Sequence, residues 1–455
     1  MKTRTRTRVI SSIAALGLAV GLASCSSGDP STSGNDTITY WLWDSAQQPG
    51  YQQCADAFQQ ENPELKVRIT QYGWNDYWSK LTAGFIAGTG PDVFTDHLSK
   101  FADFVDLDVL EPLDDLAATA KIDPAQYQDG LTELWVGQDG KQYGAPKDWD
   151  TVAFFANQQM LADAGISEQE LATATWNPED GGSFERIIAH LSIDKNGVRG
   201  DEPGFDPKHV AVYGMSQSGG GGNLGQTQWS SFAFSAGWEY ANTNPWGTKT
   251  HFDDPRFIAT VEWYQGLIAK GFTPDQATTA NGNFGANQQF AAKQAALSQD
   301  GSWMISTYTG FKDIDVAIAP TPIGPTGERA SMFNGLADSI NAQSPRKEKA
   351  AKWVAFMASR TCQDLIAQAG IVFPAQKEST RLSVQSRLDK GVDVSGFTVQ
   401  VDDKTTHLAP VTSRPNRIGL AVSPVMEAIM IGKVSPAQAL PEMNTKVNSI
   451  LSRGY

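Results

Sequence analysis

The sequence predicts an α/β protein built from two lobes. With 455 residues, the chain is too long for a single hydrophobic core of ordinary size. Its 40% hydrophobic and 19% charged residues are typical of a folded globular protein and argue against a disordered or fibrous chain. Strand-like and helical patterns alternate over residues 37–97 and again after residue 315, which indicates mostly parallel sheets flanked by helices.

Residues 1–24 are predicted to be an export signal. Four basic residues precede an apolar stretch, 9–20, that is too short to span a bilayer. Leu22-Ala23-Ser24-Cys25 resembles a bacterial lipobox, which implies a lipid on Cys25. An ordinary secretory signal with an incidental cysteine is the alternative. Residues 25–36 are rich in Ser, Gly and Thr and predict a flexible spacer.

The mature chain is predicted to be acidic and to hold two further cysteines. Removal of the four basic residues of the signal leaves 32 Lys and Arg against 50 Asp and Glu, a formal charge of −18. Because nucleic acid requires a basic binding surface, this charge argues against such a partner. In an exported protein Cys54 and Cys362 are candidates for a disulfide, with two buried free thiols as the alternative.

The N-terminal part alternates strand and helix. Strands are predicted at 37–43, 65–69 and 92–95, and helices over 51–58 and 74–86. In α/β sheets, ligands bind beyond the carboxyl ends of the parallel strands. Trp43-Asp44 and Asp96-His97 follow two of these strands, so we expect both pairs at that edge.

The later part continues the alternation with longer loops. Helices are predicted over 157–164, 184–193, 256–270, 286–293 and 348–358, and strands at 210–214, 294–298, 316–320 and 339–340. The glycine run 219–222 is predicted to be a loop, because it lacks the Lys-Ser/Thr of a phosphate-binding loop. The five histidines are scattered and form no zinc-ligand spacing.

The stretch 143–157 is the most informative part of the chain. A Gly/Pro turn runs into an apolar strand, and between them Asp148, Trp149 and Asp150 follow Lys147. Unpaired charges are costly in a buried strand, so we expect this segment to cross between the lobes and line a cleft. Alternation places the two aspartates on one face and Trp149 on the other. A secreted glycoside hydrolase, using the two aspartates as its acid and base, is the alternative function.

Tryptophans next to aspartates are typical of sugar-binding sites. An indole stacks on the apolar face of a sugar ring, while a carboxylate accepts hydrogen bonds from its hydroxyls. The candidate ligand residues on this ground are Trp43, Asp44, Asp148, Trp149, Asp150 and Trp303, and Trp74 is a further candidate. By contrast, Trp78, Trp263 and Trp353 lie on helical stripes and are predicted to pack in the core.

Residues 194–206 are rich in side-chain oxygens. Asp194, Asn196, Asp201 and Asp206 are candidates for a calcium site, although Gly197 comes two positions too early for an EF-hand loop. A solvated turn is the alternative. We predict no other metal and no other cofactor.

Five groups of motifs follow one another along the mature chain. They are Gly90-Pro91-Asp92-Val93, Leu110-Glu111-Pro112-Leu113, Tyr143-Gly144-Ala145-Pro146 with Asn157, residues 291–296 with Gly301-Ser302-Trp303-Met304, and residues 349–359 with Phe373-Pro374-Ala375. Together they resemble the sugar-binding lipoproteins of bacterial ABC transporters, the maltose-binding-protein-like members of extracellular solute-binding protein family 1. The resemblance covers almost the whole mature chain.

The resemblance implies a periplasmic-binding-protein-like fold of type II. Two α/β lobes, each discontinuous in sequence, are expected around a central cleft. The expected boundaries are 37–147 with 301–376 for lobe 1, and 148–300 with 377–455 for lobe 2. Cys54 and Cys362 then both belong to lobe 1, which favours the disulfide.

The resemblance also implies further site residues. In maltose-binding relatives the segment after the Pro-Asp motif reaches sugar hydroxyls, and its counterparts here are Asp96, His97, Ser99 and Lys100. Relatives often stack sugar on aromatic residues of the second lobe, for which Trp229, Trp238 and Trp246 are candidates.

The function implied is capture of a sugar without chemistry on it. The expected protein is a monomeric, lipid-anchored receptor on the extracellular face of the cell membrane. It would close around an oligosaccharide and deliver it to the permease subunits of an ABC importer. A receptor for a peptide or a polyamine is a further alternative, and the acidic charge would fit a polyamine.

Overall fold

The computed structural model describes residues 36–275 and 285–453. The predicted signal 1–24, Cys25 and all but the last residue of the predicted spacer lie outside the described residues. None of the described helices is long and apolar enough to cross a membrane. The main strands form two five-stranded sheets.

The first sheet forms around the N-terminal strands. Its order is Lys66–Gln71, Thr37–Leu42, Val93–His97, Leu336–Ile340 and Gly144–Pro146. The first three are parallel, whereas Leu336–Ile340 is antiparallel to both neighbours. Leu336 lies opposite His97, so this strand begins at the edge where the parallel strands end. The chain returns from the other sheet at that edge and therefore has to run in the opposite direction.

The second sheet is mostly antiparallel. Its order is Val316–Ala319, Val152–Asn157, Ala295–Gly301, Val210–Gln217 and Ile193–Asp194. Among these strands, Val210–Gln217 and Ala295–Gly301 form the parallel pair and the other neighbours are antiparallel. The expectation of mostly parallel sheets is wrong here. Strand direction depends on the edge at which the chain enters the sheet, and local hydrophobic patterns carry no record of that edge.

Helices flank both sheets. The described α-helices are Gln48–Glu61, Trp74–Ala87, Leu98–Asp106, Gln158–Asp163, Glu168–Ala172, Gly182–Leu191, Ser230–Ser235, Pro255–Ala269, Ala286–Ala291, Ile305–Thr309, Lys347–Met357, Arg360–Ala369, Lys377–Leu388, Ser395–Asp402, Pro415–Met430 and Pro436–Ser452. Local chemistry sets several ends. The Asp254 side chain accepts the amide of Arg256 before the helix that starts at Pro255. The helix that starts at Trp74 ends at Gly88, whose φ is 68°.

Two short strand pairs form where the chain passes between the sheets. Asp148–Trp149 pairs with Phe373–Pro374, and Ser331–Phe333 pairs with Thr406–Leu408. Strand Val316–Ala319 belongs to the second sheet, although the expected boundary at 301 assigns it to lobe 1.

Helix Lys377–Leu388 packs on helix Arg360–Ala369 and on the strand that follows it, although the expected boundary at 377 assigns it to lobe 2. We therefore propose lobe 1 as residues 36–147 with 336–388, and lobe 2 as residues 150–333 with 395–453. Both changes have the same cause: a strand or helix belongs to the sheet on which it packs, which its own sequence does not reveal.

A buried lysine marks the point where the chain first leaves the first sheet. Lys147 Nζ donates to Tyr40 Oη at 2.9 Å and to Thr95 Oγ1 at 3.0 Å. It lies 3.8 Å from Asp338 Oδ1 and 3.8 Å from the centroid of the Tyr51 ring. Burial lowers the pKa of Lys147 and raises that of Asp338, while the charge of each partner opposes the shift of the other. The network ties strands 37–42, 93–97 and 336–340 to the crossing.

A disulfide joins two helices of lobe 1. The Cα atoms of Cys54 and Cys362 lie 5.1 Å apart, and their sulfur atoms are bonded. The pairing favoured from the sequence is confirmed. Cys54 lies in helix Gln48–Glu61 and Cys362 in helix Arg360–Ala369, so the bond links two parts of the lobe that are 308 residues apart in sequence.

We predict that the double variant C54S/C362S unfolds more easily than the wild type. Loss of a cross-link over a long loop lowers the free energy of unfolding by about 2–4 kcal/mol, because the unfolded chain gains conformational freedom. Urea unfolding with and without reductant measures this free energy. Reductant should lower the free energy of unfolding of the wild type but not that of the variant. Alkylation of both cysteines in unreduced wild-type protein would contradict the bond.

We predict that Lys147→Met lowers the free energy of unfolding by about 3–5 kcal/mol, because it leaves the Asp338 carboxylate buried without its cation. Urea unfolding at neutral pH is the measurement. The matched control is the double variant Lys147→Met/Asp338→Asn, which removes both charges and should recover part of the loss. A single variant as stable as the wild type would show that the pair contributes nothing.

Candidate functional site

A cavity of about 1000 Å³ is lined by both lobes. Trp43, Asp44, Trp74 and His97 line it at the carboxyl-terminal edge of the first sheet. The glycine run 219–222, Trp303 and helix Pro415–Met430 line it from lobe 2, while Asp148, Asp150, Asn334 and Leu336 line it where the chain crosses between the sheets. The cavity therefore borders the carboxyl-terminal edge of the first sheet, where ligand residues were expected.

Three tryptophans form one aromatic cluster at the cavity. The Trp43 ring centroid lies 5.0 Å from that of Trp74 and 5.4 Å from that of Trp78, and Trp74 and Trp78 are 5.3 Å apart. Trp74 is 44% exposed although its ring is large and apolar. An exposed indole held edge-on by its neighbours is a rigid surface for an apolar ligand face. Trp78, predicted to be core, also lines the cavity.

His97 lines the cavity as a neutral hydrogen-bond donor. Its Nδ1 accepts the amide of Ser99 at 3.1 Å, which caps helix Leu98–Asp106 and leaves the proton of the neutral ring on Nε2. Burial, together with the charge of Lys100, lowers the pKa of His97 to about 4. The ring therefore carries no charge at neutral pH.

Asp148 lies at the cavity wall with one oxygen unpaired. Its Oδ1 accepts the amide of Leu336 at 2.9 Å, whereas Oδ2 has no hydrogen-bond partner among the described residues. The residue is 3% exposed, and this burial raises its pKa to about 6. The predicted placement of Asp148 in the cleft agrees with this position.

Asp150 is held by two side-chain amides. Its Oδ1 accepts from Gln226 Nε2, and its Oδ2 accepts from Asn334 Nδ2 at 3.3 Å. Backbone bonds between Asp150 and Asn334 fix the segment further. Burial and the charge of Asp148 both raise the pKa of Asp150 well above its usual range. Asp150 thus shares the cavity wall with Asp148 as alternation predicts, but both of its oxygens are engaged within the protein.

The indole of Trp149 packs in the core beside the cavity. Its indole stacks on Phe373 with 4.5 Å between ring centroids and on Phe333 with 5.4 Å, and its Nε1 donates to Thr380 Oγ1 at 3.0 Å. The residue is 1% exposed. Trp149 nevertheless borders the cavity beside the two aspartates, so its part in ligand contact stays a prediction.

Trp303 reaches the cavity because two glycines give it room. A Cβ atom on Gly301 would lie 2.0 Å from the Trp303 ring, and one on Gly220 would lie 3.0 Å from it. The nearby Asp300 is occupied inside lobe 2, where its Oδ1 accepts from Ser218 Oγ at 2.9 Å and its Oδ2 from Tyr308 Oη at 3.2 Å.

Other residues predicted to contact ligand lie away from the cavity. Asp96 is fully buried and accepts from the amide of His97 and from Ser339 Oγ, and burial raises its pKa to about 7. Trp229 and Trp238 pack edge-on with 6.0 Å between centroids and are buried in lobe 2. Trp246 donates from Nε1 to the carbonyl of Val136 in lobe 1 at 2.9 Å and borders a separate, smaller cavity. Asp96 was expected in the site from its place at a strand end and the three tryptophans from the resemblance, and neither ground reveals which side chains are buried.

The candidate calcium residues have other partners. Both oxygens of Asp194 accept backbone amides, from Asn196 at 2.8 Å and from Asp206 at 3.0 Å among others. Asp201 and Asp206 each face a histidine ring nitrogen, at 2.8 Å and 2.7 Å. Within 36–275 and 285–453, no group of three or more His, Cys, Asp or Glu could hold a metal ion. The structure favours the solvated-turn alternative at this site.

Sequence reasoning missed much of the lobe 2 wall. The glycine run 219–222 and Tyr240 border the cavity, as does the face of helix Pro415–Met430 that carries Asn416 and Leu420. Leu420 is 78% exposed, although its spacing fits an ordinary apolar stripe. The glycine run was a usable signal, because a backbone without side chains lets a ligand approach. Helix Pro415–Met430 offered no comparable signal.

Comparisons with known proteins agree with this architecture. The family model described as bacterial extracellular solute-binding protein matches residues 53–387. A binding protein of Brucella abortus (strain 2308) is 22% identical over 96% of this chain and 98% of its own length. The galactooligosaccharide-binding protein of Bacillus subtilis (strain 168) is 22% identical over 93% of both chains.

Solved structures share the fold. An ABC substrate-binding protein of Listeria monocytogenes, in complex with cycloalternan, aligns with a TM-score of 0.76 at 20% identity over 92% of this chain and 99% of its own. The two-lobed fold of type II predicted by resemblance is confirmed. Since the family model spans most of the mature chain, the protein belongs to the bacterial extracellular solute-binding protein family.

Proposed function

We propose that this protein captures an oligosaccharide in the cavity between its lobes and delivers it to the permease subunits of an ABC importer. The observation that carries the proposal is the composition of the cavity wall. The wall carries the exposed tryptophan cluster at one lobe and Trp303 at the other, which are surfaces suited to sugar faces. It also carries carboxylates at the crossing, which are suited to sugar hydroxyls.

The size of the cavity supports a ligand of more than one sugar ring. Its volume of about 1000 Å³ is at the upper end of the range usual for sites that enclose drug-sized molecules. Relatives that bind galactooligosaccharide, maltodextrin and cycloalternan point the same way.

Closure of the lobes on the ligand is the proposed mechanism. Residues of the two lobes are in direct contact at this cavity and at the separate, smaller one. Lys100 Nζ donates to Asn416 Oδ1 at 2.8 Å, and Gln138 Nε2 donates to Ser413 Oγ at 2.9 Å. The hydrogen bond from Trp246 Nε1 to the carbonyl of Val136 is a third contact between the lobes. A ligand that touches both lobes adds to these contacts only when the lobes are together, so it shifts the population towards the closed state.

We propose that no reaction takes place on the ligand. A glycoside hydrolase needs two carboxyl groups free to face the glycosidic bond, and both oxygens of Asp150 are engaged by Gln226 and Asn334. Capture at the extracellular face by a monomer, with a lipid on Cys25 as the anchor, completes the proposal; Cys25 lies outside the described residues. Binding of peptides and polyamines is tested in the thermal-shift screen.

We predict that an oligosaccharide raises the melting temperature of the purified mature protein in a thermal-shift screen of mono- and oligosaccharides, peptides and polyamines. The protein should release no product from the sugar that binds. Trp74→Ala should weaken binding of that sugar about tenfold, because an exposed stacking surface is lost. Leu107→Ala, which removes an exposed apolar side chain outside the cavity, should leave binding unchanged. A shift by peptides or polyamines alone would overturn the carbohydrate proposal.

We predict that Trp246→Phe weakens the binding of every ligand by the same factor, about two- to tenfold, because the variant lacks one hydrogen bond between the lobes. Titration calorimetry measures the affinity, and small-angle scattering should show a more open unliganded protein. Trp263→Phe is the matched control, since its indole donates to Glu185 within lobe 2. Equal losses in the two variants would show that the effect is not one of closure.

A further inference from the structure

We propose that the captured sugar carries a protonated amine, which binds against Asp148. This inference rests on the carbohydrate function proposed above and narrows it to an amino sugar. Three independent features of the site support it: an unpaired carboxylate oxygen, an incomplete balance of buried charge, and the signs of the other charged groups that line the cavity.

The unpaired oxygen is the first feature. Asp148 is 3% exposed and lines the cavity, and its Oδ2 has no partner within the described part of the chain. A buried carboxylate that lacks its hydrogen bonds is costly, and the cost is recovered when a donor arrives. An ammonium group is the strongest such donor, because it also brings the opposite charge.

Buried charge around Asp148 is the second feature. Lys147 is the neighbouring buried cation, and its ammonium donates to Tyr40 and Thr95 and lies 3.8 Å from Asp338. A single ammonium thus faces two buried carboxyl groups, Asp338 and Asp148. Only the first of these lies within ion-pair distance of it. The cluster lacks one positive charge, which a ligand can supply from the cavity side.

The remaining charged groups of the cavity wall are the third feature. Asp44 adds a negative group, and no arginine is among the described residues of the wall. Lys100, whose ammonium donates to Asn416 Oδ1, is the one cation among the described residues of the wall, and His97 is neutral at pH 7. The wall therefore attracts a cation and repels an anionic sugar such as a uronate. The indoles of the tryptophan cluster are further suitable neighbours for a cation.

The titration of Asp148 is consistent with this arrangement. Burial, together with the charges of Asp338 and Asp44, raises its pKa to about 6 against the opposing effects of Lys147 and of the Leu336 amide. Asp150 is the other acidic neighbour on the same strand segment, and its own pKa is raised by Asp148. A bound cation stabilises the ionised form of Asp148, so its pKa should fall on binding.

The experiment compares matched ligands on two variants of the mature protein. The probes are β-1,4-linked glucosamine oligomers, their N-acetylated counterparts of equal length, cello-oligosaccharides and galacturonate oligomers, measured by titration calorimetry at neutral pH. We expect the glucosamine oligomers to bind about tenfold or more tightly than the acetylated ones, and the galacturonates not to bind. Asp148→Asn should remove that preference, so that the affinities for the glucosamine oligomers and for their acetylated counterparts differ by less than about threefold.

Asp96→Asn is the control, because Asp96 is a buried carboxyl group with a raised pKa that does not line the cavity; it should keep the preference for amines. Thermal unfolding establishes that both variants fold. Equal binding of neutral and amine-bearing sugars, a neutral sugar as the sole ligand, or an unchanged preference in Asp148→Asn overturns the inference and leaves the carbohydrate function standing. Failure of every sugar to bind instead overturns the proposed function itself.

Discussion

The buried ammonium of Lys147 is the interaction on which the arrangement of the site depends. It holds Tyr40, Thr95 and Asp338, which come from three strands of the first sheet, at the residue where the chain first leaves that sheet. Because a buried charge tolerates little movement away from its partners, the crossing segment is fixed in position. Asp148 follows directly, so its place at the cavity wall is a consequence of that network.

The two strand pairs at the crossing continue this constraint into the second lobe. Backbone pairing of the segment that starts at Asp148 with Phe373–Pro374 sends the Trp149 indole into an aromatic stack and leaves the aspartates towards the cavity. Asn334, on another crossing segment, then meets Asp150 through both backbone and side chain. The polar cavity wall is thus built from segments that any movement between the lobes must bend, which couples the ligand to closure.

Much of the fold was predictable from the sequence, and so was about half of the candidate site. The predicted helix at 74–86 and the strand at 37–43 agree with the structure within one residue, because strong periodicity and a glycine stop are local signals. Strand direction and the boundaries of the lobes were not predictable in this way. Val316–Ala319 reads as an ordinary strand wherever it pairs, and only its partner Val152–Asn157 places it in lobe 2.

The sequence by itself determined the α/β class and the alternation that separates Asp148 and Asp150 from Trp149, since both depend on residue type and spacing. The pairing of the two cysteines was favoured only through the resemblance. Tertiary structure decided which tryptophans face the cavity. Trp78 is predicted to be core and Trp229 to contact the ligand, yet Trp78 lines the cavity and Trp229 is buried in lobe 2. The physical reason is that burial depends on what packs against a side chain, and those neighbours are distant in sequence.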